Sequence, residues 1–322
     1  MTGRLWARGR VMGPAVVLAV VLPVLAWRLG TGPFVDGVRS VNGPALAAAA
    51  AIGALTTVCC AWRWTTVARA LGVELSLTTA VAAYYRSLFL NVTLPGGVVG
   101  DVHRGFSHGR DAGDVGRALR AVAWERFAGQ VVQVLLTAVV LLALQSPVHA
   151  AMPLVALALV VAVAAVLLVA RLRPVGASAW ARVRSTAAAD IRGALLARHA
   201  RLGIAFASAL VVAGHAITFM IAARTAGTTA PLSQMLPISL LAMMAMTLPN
   251  VGGWGPREGV TAWAFAAAGL GAGRGVTTSV VYGVMAIVAS LPGAAVLLVL
   301  WFRSTRLPAC QRSPLGEGAA HA

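Results

Sequence analysis

The chain has no lysine, little acid and few charges of any sign. Of its 322 residues, 59% are hydrophobic and 11% charged, against roughly 25% charged in a typical soluble domain. That balance excludes a soluble protein. All 26 basic residues are Arg, set against 9 acidic ones for a formal charge of +17. Such an excess is the footprint of a phosphate binder, but here the arginines flank apolar runs, as the positive-inside bias of membrane proteins predicts. Nucleic acid is therefore not expected as a partner. The missing lysine, alongside abundant Ala, Val and Gly, carries no functional weight by itself.

Cysteine is scarce too. Cys59 and Cys60 lie inside an apolar run and Cys310 near the C-terminus; adjacent cysteines rarely bridge each other on geometric grounds, so all are read as packing residues. Enzyme signatures are absent: no P-loop, no H-E-x-x-H, no Cys-rich metal spacing and no G-x-S-x-G elbow. No cofactor or metal is expected.

What the sequence does hold is long apolar runs near or above the roughly 18 residues that mark a transmembrane helix. Val11 to Trp27 is marginal, whereas Ala45 to Trp62, Phe127 to Leu144, Ala150 to Ala170, Leu202 to Ala223 and Val276 to Phe302 are clear. Arg4, Arg8 and Arg10 precede the first run with no small-residue cleavage site after it, so an uncleaved helix is expected rather than a signal peptide. Placing residues 1–10 in the cytoplasm makes the Arg63 and Arg69 loop, residues 101–120 and residues 171–201 cytoplasmic as well. Two spans joined by the turn "QSPVH" lie between the last two. Arg303, Arg306 and Arg312 favour a cytoplasmic C-terminus, and 304–322 reads as a polar, disordered tail.

One element occurs twice. "TLPGGVVGD" at 93–101 and "TLPNVGGWGPRE" at 247–258 each follow an apolar stretch with Leu-Pro, a Gly-rich turn and an acid. Pro stops a helix and Gly permits the positive φ of a tight turn. Residues 75–94 have two cytoplasmic flanks, which predicts a re-entrant segment, the alternative being a full span. Non-helical backbone at membrane depth survives only buried in protein or lining a wet cavity. The second copy, after Pro231, approaches from the opposite face, the sign of an inverted repeat.

Two such loops meeting would make a polar pocket surrounded by lipid. Its candidate substrate-binding residues are Asn91, Thr93, Pro95, Gly96, Gly97, Gly100, Asp101 and Arg104 from the first loop, and Pro249, Gly252, Gly253, Gly255, Arg257 and Glu258 from the second. The bland reading makes the loops connections and the acids helix caps. A third polar set lies on a helix capped by Asp114 and running from Val115 to about Leu144. Arg126, Gln130, Gln133 and Thr137 share one face there, with Glu125 beside them. An ionisable residue in a span is a functional candidate by default, although Glu125 and Arg126 at an interface would simply snorkel. His215, mid-span, is read as a hydrogen-bonded packing residue, and His103 and His108 as solvated.

Taken together, "RW" (Arg63, Trp64), "FLNVTLPGGVVGDVHRG", "AVAWERFAG" and "LPNVGGWGPREG" resemble the transmembrane region of lysylphosphatidylglycerol synthases, in order and spacing, over about residues 10 to 303. The resemblance implies a flippase-like protein that moves a polar lipid or lipid-linked intermediate between leaflets. In bifunctional relatives a cytoplasmic aminoacyltransferase domain makes the lipid. No such domain follows here, so lipid synthesis is not expected. The family has two glycines before the first loop's acid; Val99 replaces one, and a β-branched residue resists positive φ.

The expectations are an all-α, polytopic transmembrane bundle of about 6–8 spans with two Gly/Pro-broken or re-entrant segments, its halves at 11–145 and 150–303. It would sit in the plasma membrane and translocate a polar or phosphate-containing lipid without an ATPase motif. Membrane lipids are the expected partners, with a lipid-modifying enzyme as a further candidate; oligomeric state stays open. The alternatives are a membrane enzyme acting on a lipid-phosphate through Asp101, Glu258 and a divalent metal, or a non-catalytic subunit of a lipid glycosyltransferase.

Overall fold

The computed structural model describes residues 23–144, 179–195, 198–248, 250 and 253–306. Among them are a helical stretch at 23–29 and ten further helices: α1 (Gly32–Ser40), α2 (Gly43–Ala70), α3 (Leu77–Thr93), α4 (Val99–Asp111), α5 (Val115–Ala143), α6 (Ala179–Asp190), α7 (Arg198–Thr225), α8 (Leu232–Ala245), α9 (Pro256–Ala267) and α10 (Ala272–Arg306). A π-helical turn, Ile191–Leu195, continues α6. Four helices, α2, α5, α7 and α10, are long and apolar enough to cross a membrane. The protein is a helical membrane bundle. The expected span Ala150 to Ala170, the "QSPVH" turn, most of Val11 to Trp27 and the tail from 307 lie outside the described residues.

Local sequence sets the helix ends. Asn42 caps α2 by accepting the Ala45 N–H at 2.9 Å, with Pro44 in the first turn, where its missing N–H costs nothing. Ser76 caps α3 through the Thr79 N–H at 3.3 Å. Asp114 caps α5 through the Arg117 N–H at 2.8 Å. The exposed face of α7 is an apolar stripe of Leu202, Phe206, Leu210 and Ile217. Exposed apolar surface of this kind suits lipid and not water.

The order long, short, short, long occurs twice, as α2–α3–α4–α5 and α7–α8–α9–α10. In both units the short helices pack on each other as a hairpin, and the second of them packs on the following long helix. Packing between the units shows the same exchange: α10 lies on α3 as α5 lies on α8, and α10 on α2 as α5 on α7. The two leading helices touch each other along an antiparallel seam. A Cβ on Gly203 would meet Trp62, one on Gly214 would meet Thr56 and Ile52, and Arg63 bonds Ser208 between them. Equivalent helices that run antiparallel belong to oppositely inserted copies, the topology of an inverted repeat.

The short helices also account for the re-entrant expectation. α3 has 17 residues, α4 13, α8 14 and α9 12, each below the roughly 20 needed to span a bilayer. Asn91 meets Gly100, Ser87 meets Asp101 and Tyr84 meets Arg104, so α3 and α4 fold back antiparallel. In the second pair Gln234, near the start of α8, donates to the Ala268 carbonyl just after α9 at 2.9 Å, so both pairs fold back on themselves.

Two local expectations are corrected. Arg63 is not in a loop: α2 continues to Ala70, and Arg63 lies inside it, 5% exposed. Val99 meets no backbone strain, because it is the first residue of α4 while the positive φ angles fall on Gly96 (109°) and Gly97 (65°).

Candidate functional site

The tips of the two hairpins meet. The Gly96 N–H donates to the Asn250 carbonyl at 3.1 Å, and a Cβ on Gly97 would lie 3.0 Å from the Asn250 side chain. Asn250 braces its own loop: Nδ2 donates to the Met246 and Leu248 carbonyls at 2.9 and 2.8 Å, and Oδ1 accepts from the Gly253 N–H at 2.8 Å. Asn91 does comparable work in the first hairpin. Its Oδ1 accepts from the Gly100 N–H at 2.7 Å and its Nδ2 donates to Asp101 at 2.9 Å.

Asp101 and Glu258 each occupy the third position of their short helix, near the positive end of the helix dipole. Asp101 accepts from Ser87 Oγ at 3.1 Å, from Arg104 Nε at 3.0 Å and from Arg126 Nη2. Arg104 also reaches Glu125 through Nη2 at 2.8 Å. Glu125, fully buried, is ion-paired on its other side to Arg63 and accepts from Tyr84 Oη at 3.3 Å. Arg63 in turn donates to Ser208 Oγ on α7 at 2.8 Å. The result is one network drawn from α2, α3, α4, α5 and α7.

In this network three guanidiniums, of Arg63, Arg104 and Arg126, face two carboxylates, of Asp101 and Glu125. One positive charge is in excess. Desolvating ions costs several kcal/mol each unless pairing and hydrogen bonds offset it, so nearly every member is tied more than once. Arg104 is held between the rings of Trp64 and Tyr84, 4.5 and 4.2 Å from their centroids, a cation–π arrangement that suits a buried Arg. Arg126 differs in exposure: its side chain is 38% exposed and its ion partner is Asp101, while its buried Nε, like Nη1 of Arg104, has no hydrogen-bond partner.

The second site is closed by comparison. Glu258 accepts from the Gly255 N–H at 2.6 Å, from Arg257 Nη2 at 2.6 Å and from Ser279 Oγ at 2.9 Å. Arg257 donates to Ser279 at 2.9 Å and lies over the rings of Trp254 and Tyr282. Its side chain is 2% exposed and that of Glu258 0%. One cation faces one anion. The Tyr282 hydroxyl is hydrogen-bonded to His215 Nδ1 at 3.0 Å, which gives that mid-span histidine its expected polar partner.

The structure thus brings together Asn91, Gly100, Asp101, Arg104, Glu125 and Arg126 in one place, and Gly253, Gly255, Arg257 and Glu258 in another, with Gly96 and Gly97 at the contact between loops. Thr93 is not part of either: it is exposed and bonds the Phe89 carbonyl at 2.8 Å within its own helix. Pro95 is exposed and serves as the stop. Gln130, half-buried one turn beyond Arg126, has no hydrogen-bond partner among the described residues. Pro249 and Gly252 lie outside them. His108 is not solvated but half-buried, edge-on to Trp64 at 5.8 Å.

Arg63, Tyr84, Ser87, Ser208 and Ser279 are not among the candidate site residues that the sequence offers, although Arg63 belongs to the "RW" motif and Ser208 shares a helical face with His215. Arg63 carried a signal, an Arg immediately after an apolar run that would be intramembrane if the helix went one turn further. The hydroxyl residues carried none, since serine in a membrane helix commonly bonds its own backbone. Among the described residues, no three His, Cys, Asp or Glu side chains come together as a metal ion would require.

A repeated helical unit with two hairpins and a buried ionic network defines a polytopic membrane protein built as an inverted repeat. The chain belongs to the family described as the lysylphosphatidylglycerol synthase transmembrane region, whose model matches residues 11–305. No curated protein and no solved structure matches it.

Proposed function

We propose that this protein translocates a polar lipid with an anionic, phosphate-containing headgroup between the leaflets, at the ionic site that its first hairpin forms with α5. The observation that carries this reading is the half-exposed Arg126 at the edge of a network with one cation in excess. A charge at the bilayer centre is costly, so a headgroup crosses only where fixed groups replace its water. Arg126 offers the planar donor fork that matches a phosphate, and the surplus charge gives an anion a net attraction.

Family membership supports a membrane, lipid-related role, and the inverted repeat supports a site reached from both faces in turn. Asp101 and Glu258 hold their loops and arginines in register. Asp101→Asn and Glu258→Gln are each expected to slow exposure of a fluorescent phospholipid headgroup to an aqueous quencher, in vesicles reconstituted with folded protein. Unchanged rates in both variants would remove the carboxylates from the mechanism.

A further inference from the structure

Among the groups of the first site, Asp101 and Arg126 depend on each other unequally. Asp101 keeps three other donors besides Arg126: Ser87 at 3.1 Å, Asn91 at 2.9 Å and Arg104 at 3.0 Å. Arg126 has Asp101 as its ion partner, an unpartnered Nε and a side chain 38% exposed. Losing Arg126 leaves Asp101 paired and hydrogen-bonded. Losing Asp101 leaves Arg126 without its anion.

We infer that Asp101 is a resident surrogate for the ligand's phosphate oxyanion: it occupies the Arg126 guanidinium when the site is empty and yields it when an anionic ligand arrives. Asp101 is then a positioning residue, and Arg126 the group that touches the ligand. This inference rests on the proposed headgroup reading and adds the competition. A fixed internal competitor weakens binding and speeds release, which a translocator needs because a ligand held tightly in mid-crossing does not leave. No bond is made or broken; one carboxylate and one oxyanion exchange places at a guanidinium.

Two features let Asp101 release Arg126 without being left unpaired. Arg104 is clamped between Trp64 and Tyr84 and paired to Glu125 at 2.8 Å, so it stays with Asp101 while Arg126 moves. The N-terminus of α4, where Asp101 is the third residue, also favours the carboxylate. Neither support exists on the Arg126 side.

The experiment measures binding to the purified full chain in detergent with two probes, inorganic phosphate and monomeric short-chain phosphatidylglycerol. Asp101→Asn is expected to bind at least one of them ten-fold or more tighter than the unsubstituted chain, because it removes the competitor. Arg126→Gln should bind neither in either background. Asp114→Asn, which removes an exposed acid elsewhere, should change affinity less than two-fold and so controls for overall charge. Tightening for the lipid probe alone assigns the ligand to a headgroup; tightening for both assigns it to the phosphate oxyanion wherever it is carried. A role for Asp101 confined to holding its loop and Arg126 in place would instead weaken binding, and equal or weaker binding by Asp101→Asn overturns the inference.

Should Asp101→Asn fail to fold, infrared difference spectra of the unsubstituted chain with ¹³C-labelled aspartate answer the same question. Probe addition is expected to shift a carboxylate band as Asp101 loses Arg126, and no shift overturns the inference. If neither probe binds any variant, this inference and the headgroup reading fall together. If affinity tightens as expected but vesicles show no translocation, the inference stands and the translocator reading falls.

Discussion

The two hairpins bring an acid to the same helical position and use it differently. In the second, Glu258 caps its own helix through Gly255 and is matched by one fully buried arginine, with Ser279 completing the set. In the first, Asp101 sits in a network of three arginines and two acids that reaches α2 and α7, and one of those arginines is partly exposed. Duplicated elements thus diverged into a neutral, sealed brace and a charged, open site. The second position of each short helix shows the same divergence: Gly100 in the first, where a Cβ would fall 2.1 Å from the Ser87 carbonyl oxygen, and Arg257 in the second. The close approach of α3 and α4 at Gly100 is what lets Ser87 and Asn91 reach Asp101.

Substitutions can break this contrast in graded ways. The largest loss is expected from Glu125→Gln, which leaves the buried Arg63 and Arg104 without their common anion; stranding a buried charge costs about 3–5 kcal/mol. Thermal unfolding of the detergent-solubilised protein reads it directly, and Glu258→Gln should cost less, since it strands one guanidinium that two rings still cover. Gly100→Ala follows, at about 3 kcal/mol for an overpacked contact against backbone, with no counterpart in the second hairpin, where Arg257 already fills that position. Asn250→Ala removes the brace of the second loop and is expected to cost about 2 kcal/mol in lost hydrogen bonds, with faster amide exchange at Gly96 and Gly253. Smallest is Ser279→Ala, about 1 kcal/mol for a hydroxyl that Glu258 and Arg257 share; a cost as large as that of Glu125→Gln would mean that the second site is no less strained than the first.

Much of this was legible before the structure. Hydropathy gave α2, α5, α7 and α10, and Asp114 marked the start of α5, because burial in lipid and helix capping are local or additive properties of the chain. The repeated Leu-Pro step with its Gly-rich turn located both hairpins and both acids, since proline and glycine act on their own backbone. The composition of the ionic network was less visible. Glu125 and Arg126 stand out as charges in an apolar run, but the apolar run that ends at Trp62 places Arg63 in a loop, one residue beyond its helix. Ser87, Ser208 and Tyr84 gave no signal, as their roles come from packing between helices far apart in sequence. The openness of one site and closure of the other are equally products of that packing: side-chain exposure of 38% for Arg126 and 2% for Arg257 is not written in either motif.

The central claim is that Arg126, the open arginine that α5 sets against the first hairpin's Asp101, is where a lipid's anionic group is received. It is tested most directly by the initial rate of headgroup exposure in vesicles carrying Arg126→Gln at matched amounts of folded protein. The account predicts at least a ten-fold fall in rate with the unfolding midpoint nearly unchanged, because Arg126 is the least buried member of its network. A rate equal to that of the unsubstituted chain would contradict it.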